Sequence, residues 1–206
     1  MTAQAGDTFP LSSAAQKSAL RRVLRSRRSR LPEAERRKAA RLAARALLQR
    51  LPRRCRIAIY LSVHSELSTQ PLRRALLRAG HRLSVPVTLR NWRMRFVPFH
   101  AGTALRRSGP LRLPEPVTRR PMHGARHFDL ILVPLLGFDA DGGRLGNGGG
   151  YYDRALAAPR LGRRPQRIGY AYAAQAVEAL PMEAFDVRLD AVVTERGWTR
   201  FPKPRT

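Results

Sequence analysis

The chain has 206 residues, 43% of them hydrophobic, which suits one domain with a real core and is short for two. Lysine and arginine total 40 against 14 acidic residues, a formal charge of +26 that attracts polyanions but does not specify a fold. The single cysteine, Cys55, excludes an internal disulfide and a cysteine-based zinc site.

Residues 1–12 are small and polar and read as a disordered tail ahead of one domain spanning 13–206. No basic stretch followed by an apolar run opens the chain. The longest apolar run, residues 130–138, is far below membrane-spanning length. The expectation is a soluble, cytoplasmic protein with no membrane partner. Ser13-Ala-Ala-Gln16 has the form of a capping box and predicts a helix with Leu20, Val23 and Leu24 on one side. Pro32, Glu33 and Glu35 suit the first turn of a second helix running to about Arg50, with Ala39, Leu42, Ala43, Ala46 and Leu47 as its apolar stripe. Arg56–Ser62 reads as a strand, Thr69–Ala79 as a helix closed by Gly80, and Arg82–Val87 as a strand. Trp92–Phe96 alternates like a half-buried strand, and residues 100–127, rich in Pro, Gly and Arg, read as long loops. Asp129–Pro134 is a buried-type strand, Tyr151–Ala158 a helix, and Ile168–Tyr172 and Leu189–Thr194 two more strands. Helices alternating with strands predict a layered α/β fold with a mostly parallel central sheet and an N-terminal helical segment.

The chemistry concentrates at residues 144–154. Gly146, Gly148, Gly149 and Gly150 supply four glycines in five positions between a buried strand and a helix start. Such a bend lets a backbone approach a ligand and turns successive N–H groups onto an anion. The following helix adds its N-terminal partial charge. Arg144 and Arg154 flank the bend with forked, permanent cations. Asp153 stands where a carboxylate can hold Mg²⁺ against phosphate oxygens. The lysine-containing phosphate loop is absent and the dinucleotide fingerprint fails, because its third glycine falls on Tyr151. His64, His81, His100, His123 and His127 show no metal spacing. The arginines scatter from Arg21 to Arg205 rather than forming one patch, so nucleic acid is expected only as a non-specific partner.

Arg144-Leu-Gly-Asn-Gly-Gly-Gly-Tyr-Tyr-Asp153 resembles the signature of the 5-formyltetrahydrofolate cyclo-ligase family. Lys17-Ser-Ala-Leu-Arg21 resembles its N-terminal element, Tyr60–Thr69 its glutamate-containing turn, and Leu113–Pro116 its Glu-Pro element. Gln175, Leu180-Pro181, Glu183–Asp186 and Leu189–Glu195 keep the family's order, so the likeness covers about residues 16–197. It implies a single three-layer Rossmann-like domain. ATP is implied on Lys17, Ser18, Ala19, Leu20 and Arg21 and on Arg144, Leu145, Gly146, Asn147, Gly148, Gly149, Gly150, Tyr151 and Tyr152. Folate is implied on Leu61, Glu66 and Asn147–Tyr151, and Mg²⁺ on Asp153 and Asp186. Arg144, Lys17 and Arg21 are the implied catalytic cations. The chain departs from the pattern at Phe185, where the family often carries His, and at Asn147 and Gly149, where some members carry Arg, Tyr or Lys.

The implied reaction joins ATP to 5-formyltetrahydrofolate, in mono- or polyglutamylated form, and yields 5,10-methenyltetrahydrofolate, ADP and phosphate. Phosphorylation of the formyl oxygen activates its carbon for attack by N10, and no protein nucleophile is needed. The alternatives are a basic nucleic-acid-binding protein and a non-cyclising folate- or nucleotide-binding paralogue.

Overall fold

The computed structural model describes residues 13–157 and 165–202. The tail expected over residues 1–12, and the end of the helix expected to reach Ala158, lie outside them. Helices α1 (Ser13–Ser29) and α2 (Glu33–Leu48) fall where their apolar stripes place them. Glu33 and Glu35 fill the first turn of α2, where carboxylates meet the exposed N–H groups. The capping box expected at Ser13 is not formed. Ser13 is already helical, and its buried hydroxyl has no hydrogen-bond partner among the described residues.

The chain then alternates between strand and helix. It runs through β1 (Arg56–Ala58), α3 (Gln70–Arg78), β2 (Arg82–Thr88), β3 (Met94–Phe99), β4 (Leu105–Ser108), β5 (Leu113–Pro116) and β6 (Leu130–Val133). After these come the two-residue strands β7 (Gly137–Phe138) and β8 (Arg144–Leu145), the short helix α4 (Tyr151–Leu156), β9 (Gln166–Tyr170), β10 (Ala191–Thr194) and β11 (Gly197–Arg200). The main sheet has the order β11-β10-β9-β6-β1-β2-β3. Its five inner strands run parallel, and only the edges β3 and β11 pair antiparallel.

Strand alternation sorts β6 between two cores: Leu130 and Leu132 face one, Ile131 and Val133 the other. On the first face lie α2 and α3. Ala39, Ala40, Ala43 and Ala44 let α2 approach the sheet closely, and Leu47 completes the contact. Tyr170 donates a hydrogen bond to the Ala40 carbonyl, tying sheet to helix. The second face is covered by α4 and by irregular segments carrying Phe128, Leu189 and Phe201.

The sheet differs from expectation in three places. The strand expected over Arg56–Ser62 pairs in the ladder only through Ala58, because the chain then leaves the sheet toward Glu66. Trp92 is not in a strand: it stands with Asn91 in the turn before β3, both at φ 57°. Residues 100–127, expected as loops, hold the β4–β5 hairpin, pinned by the buried Glu115 carboxylate. No helix among the described residues is long and apolar enough to cross a membrane.

Helix α1 belongs to neither core. Its Leu24 forms a small cluster with Leu136, Leu145 and Leu180. A Cβ added to Gly137 would lie 2.6 Å from Leu24 Cδ1, so α1 seats directly on β7. That places α1 beyond the carboxyl end of β6, the side on which open α/β sheets bind ligands.

Candidate active site

The glycine-rich bend connects β8 to α4 at this carboxyl edge. Gly148 (φ 101°) and Gly150 (φ 64°) adopt backbone conformations that side-chain-bearing residues rarely take. Among the described residues, no N–H group from Gly146 to Gly150 donates a hydrogen bond to protein. The carbonyls are anchored instead: Gly146 O accepts from Arg21 Nε at 3.0 Å, and Gly149 O from Arg154 Nη1 at 3.1 Å. A bend held by its oxygens keeps its N–H groups uncommitted, and such groups can donate to an anion.

Cations surround the bend at two depths. Arg21 on α1 is half-buried and packs against Gly148. Arg144 is buried, and its Nη2 donates to Asp153 Oδ1 at 2.5 Å. Burial holds the Arg144 guanidinium below its usual range, opposed by the charges of Asp153 and Asp186. Its Nε is buried and has no hydrogen-bond partner among the described residues.

Lys17 lies on the same helix face as Arg21, four residues earlier, and is buried. Its Nζ donates to Asp186 Oδ2 at 2.6 Å and to Glu183 Oε2 at 2.7 Å. Burial pulls the ammonium down, but hydrogen bonds and charge from these two carboxylates outweigh it, and the net shift is upward. The 183–187 loop is held from both sides. Glu183 N–H donates to Asp186 Oδ2 at 2.8 Å, and Val187 N–H to Asp153 Oδ1 at 3.1 Å. The two expected metal carboxylates thus converge, Asp153 from α4 and Asp186 from this loop. Their described bonds fall on one oxygen each, Oδ1 of Asp153 and Oδ2 of Asp186. Phe185 is largely exposed with Lys17 Nζ 5.7 Å from its ring centroid.

Glu66 stands across from α4. Val63 N–H donates to its Oε2 at 3.0 Å. Burial pushes the carboxyl up, against the hydrogen bond from Val63 and the positive charges of Arg28 and His64. Tyr152, with its ring half-buried, aims a buried hydroxyl into the same region without a hydrogen-bond partner. Burial foremost, then the Glu66 charge, keep that phenol protonated well above its ordinary value.

The sequence-predicted residues divide by location. Lys17, Arg21, Arg144, the glycines, Asp153 and Asp186 meet around the bend. Leu20 and Leu145 serve the small cluster beneath α1, and Tyr151 packs into the second core. Leu61 packs against the first core, while Ser18 and Asn147 are exposed and Ala19 is half-buried. Sequence reasoning missed three contributors. Glu183 shares Lys17 with Asp186 from 166 residues away, a pairing with no local signal. Arg28 reaches from α1 to Ser65 Oγ at 3.1 Å, beside Glu66. Trp92 lies against Tyr151, ring centroids 5.7 Å apart.

These features define an α/β protein with a cationic, donor-rich bend at the carboxyl edge of a mostly parallel sheet. The pattern of the 5-formyltetrahydrofolate cyclo-ligase family matches residues 13–195. The 5-formyltetrahydrofolate cyclo-ligase of Escherichia coli is 39% identical over 141 residues, covering 67% of this chain and 76% of that protein. The Mycolicibacterium smegmatis protein of the same name is 32% identical over 186 residues, covering 87% and 94%. In structure, the chain is similar to the 5,10-methenyltetrahydrofolate synthetase of Aquifex aeolicus, with a TM-score of 0.75, 30% identity, and coverage of 92% and 95%. The Mycoplasma pneumoniae 5,10-methenyltetrahydrofolate synthetase superposes with a TM-score of 0.70 at 26% identity. The chain belongs to the 5-formyltetrahydrofolate cyclo-ligase family.

Proposed function

We propose that this chain converts 5-formyltetrahydrofolate and ATP into 5,10-methenyltetrahydrofolate, ADP and phosphate. The observation that carries the reading is the row of uncommitted N–H donors from Gly146 to Gly150, set among Lys17, Arg21 and Arg144. Phosphoryl transfer requires this kind of positioning and charge neutralisation rather than a protein nucleophile.

In this reading the bend and α1 hold the ATP phosphates. Glu66 accepts hydrogen bonds from the donor edge of the pterin, and Tyr152 supplies a neutral hydroxyl beside it. The formyl oxygen attacks the γ-phosphorus and the bond to ADP breaks. The resulting imidate phosphate carries a carbon that N10 attacks. The ring closes as phosphate leaves with the former formyl oxygen. Arg144, fixed by Asp153, and Lys17 and Arg21 from α1 offset the charge that collects on the phosphoryl oxygens.

The carboxylate pair suits Mg²⁺. Among the described residues no cluster of three or more His, Cys, Asp or Glu forms a complete metal cage. Mg²⁺ is ordinarily held by one or two carboxylates while phosphates and water complete its shell. Asp153 and Asp186 would be its protein ligands, and the ion would neutralise phosphate charge. Glu183 keeps Lys17 engaged when Asp186 is otherwise occupied.

The direct test mixes the protein with ATP, Mg²⁺ and 5-formyltetrahydrofolate and follows the absorbance of the methenyl product. Asp153→Ala removes both the carboxylate and the anchor of Arg144. Turnover is expected to fall by roughly a hundredfold or more, in line with loss of a transition-state charge contact, with the folded state retained by circular dichroism. Normal turnover by that variant contradicts the metal and Arg144 assignments together.

A further inference from the structure

One face of α1 touches both halves of the site. Lys17, Arg21, Leu24 and Arg28 recur along it at helical spacing, and Lys17, Leu24 and Arg28 are the buried residues of the helix. Lys17 and Arg21 stand at the glycine bend and the 183–187 loop. Arg28, in the last turn, is directed at the Glu66 turn instead.

The surroundings of Arg28 are unusual for a buried guanidinium. Arg119, Arg144 and Arg167 each meet a carboxylate directly. Arg28 meets none within ion-pair distance among the described residues. Its Nε donates to Ser65 Oγ at 3.1 Å, and its Nη1 reaches the Leu135 carbonyl at 3.5 Å. These contacts use two of its five donors. Burial draws its pKa down, and the charge of Glu66 is the leading influence in the other direction.

The turn that carries Glu66 is tied down everywhere except at its carboxylate. Thr69 N–H donates to Ser62 Oγ at 3.2 Å and Thr69 Oγ1 to the Tyr60 carbonyl at 2.9 Å, closing the base of the turn. Glu66 N–H donates to the Val63 carbonyl at 3.1 Å, and the Tyr172 hydroxyl to the Glu66 carbonyl at 3.4 Å. Gln175 links these ties to α1. Its Nε2 shares the Leu135 carbonyl with Arg28, and its Oε1 accepts from Tyr172 N–H at 2.9 Å. Glu66 Oε1, by contrast, accepts no hydrogen bond among the described residues. A direct ion pair with Arg28 would occupy the carboxylate. A cation anchored on the neighbouring hydroxyl still favours the charged form and leaves lone pairs open.

We propose that Arg28 is a positioning residue for the folate: anchored on Ser65, it supplies the counter-charge of Glu66 without taking up the carboxylate oxygens that receive the substrate. The inference rests on the placement of the folate at Glu66 and adds the residue that keeps this acceptor both charged and open. The charged and titratable groups facing Glu66 are Arg28 from α1, His64 from its own turn, and the phenols of Tyr60, Tyr152 and Tyr172. His64 and the three phenols stay constant in the variants below, so differences between variants report on Arg28.

The experiment records kcat/KM for 5-formyltetrahydrofolate against pH in the full chain, with saturating ATP and Mg²⁺. Protonation of Glu66 sets the acid limb. Arg28→Met removes the counter-charge, so the carboxyl protonates more readily and the limb moves up by about one pH unit, the scale of one nearby opposite charge. KM for the folate then rises roughly tenfold on the limb, and KM for ATP keeps its wild-type value. Arg28→Lys retains a cation and holds the limb where the wild type has it. Ser65→Ala frees the guanidinium to close on Glu66. The limb then moves down in pH while KM for the folate rises. Opposite displacements in Arg28→Met and Ser65→Ala are the expected signature. A limb shared by all the proteins overturns the proposal, as does an equal rise in both KM values that follows a lowered Tm. Should Arg28→Met fail to fold, a Ser65→Ala limb that does not move down overturns it alone. Normal wild-type turnover with unmoved limbs defeats this inference and leaves the cyclo-ligase reading standing. Failure of the wild type to turn over the substrate defeats both.

Discussion

Two glutamates are withdrawn from water in different regions, and they have opposite surroundings. Glu115 anchors the β4–β5 hairpin. Its Oε1 accepts from Thr88 N–H at 2.8 Å and from Thr88 Oγ1 at 2.7 Å, and its Oε2 from Ser108 Oγ at 3.1 Å and Arg119 Nη2 at 2.7 Å. Glu66 accepts one described hydrogen bond, from Val63 N–H. The first carboxylate has its bonding capacity filled by the fold. The second is desolvated with capacity in hand, and its pKa rises accordingly. A buried acid that the protein satisfies is structure; one left short of donors is a place for a ligand.

The largest effect that sharpens this contrast belongs to the satisfied residue. Glu115→Ala leaves Thr88, Ser108 and Arg119 without their shared acceptor. It should lower unfolding free energy by about 3 kcal/mol in urea titrations, the scale of breaking a buried ion pair. The activity of the molecules that remain folded should be unchanged. Glu66→Ala reverses the pattern. Folate affinity should fall roughly thirtyfold, or about 2 kcal/mol for lost charge-assisted hydrogen bonds, with ATP affinity and urea midpoint held. Equal losses for both ligands in calorimetry would refute its placement at the pterin.

The smallest effect is one of pH. The folded-state pKa of Glu66 lies above its ordinary 4.5. Its contribution to stability is therefore fully present below 4.5 and is lost as pH rises through the higher folded value. The ligand-free Tm of Glu66→Gln should gain on wild type across that window, while folate binding by wild type improves over the same range. A Tm difference that does not vary with pH removes the claim that Glu66 is strained by burial.

Much of the architecture is legible in the amino-acid order. The apolar runs in β6 and β10, the stripe of α2 and the glycines of the bend each follow one local rule, and each element appears where that rule puts it. The β4–β5 hairpin escapes such rules because Leu105, Arg106 and Arg107 are all exposed, so no alternation marks the strand. Its anchor is Glu115 reaching Thr88 across 27 positions, which no local window contains. The site is legible in part for the same reason. Arg144 and Asp153 stand nine residues apart and flank a visible motif, whereas the hold of Glu183 on Lys17 exists only once the chain has folded back on itself. Trp92 misleads because alternation through Met94 and Phe96 extends in sequence one turn beyond the sheet.

The tether of α1 has a consequence for biosynthesis. Lys17 finds its acceptors 166 and 169 positions later, at Glu183 and Asp186. On a ribosome, the first helix is therefore made long before the loop that neutralises it. A nascent chain can hold β1, β2, β6 and β9 and still lack the loop that pairs with Lys17. The ammonium on α1 therefore stays unpaired with these carboxylates until the 183–187 loop has emerged.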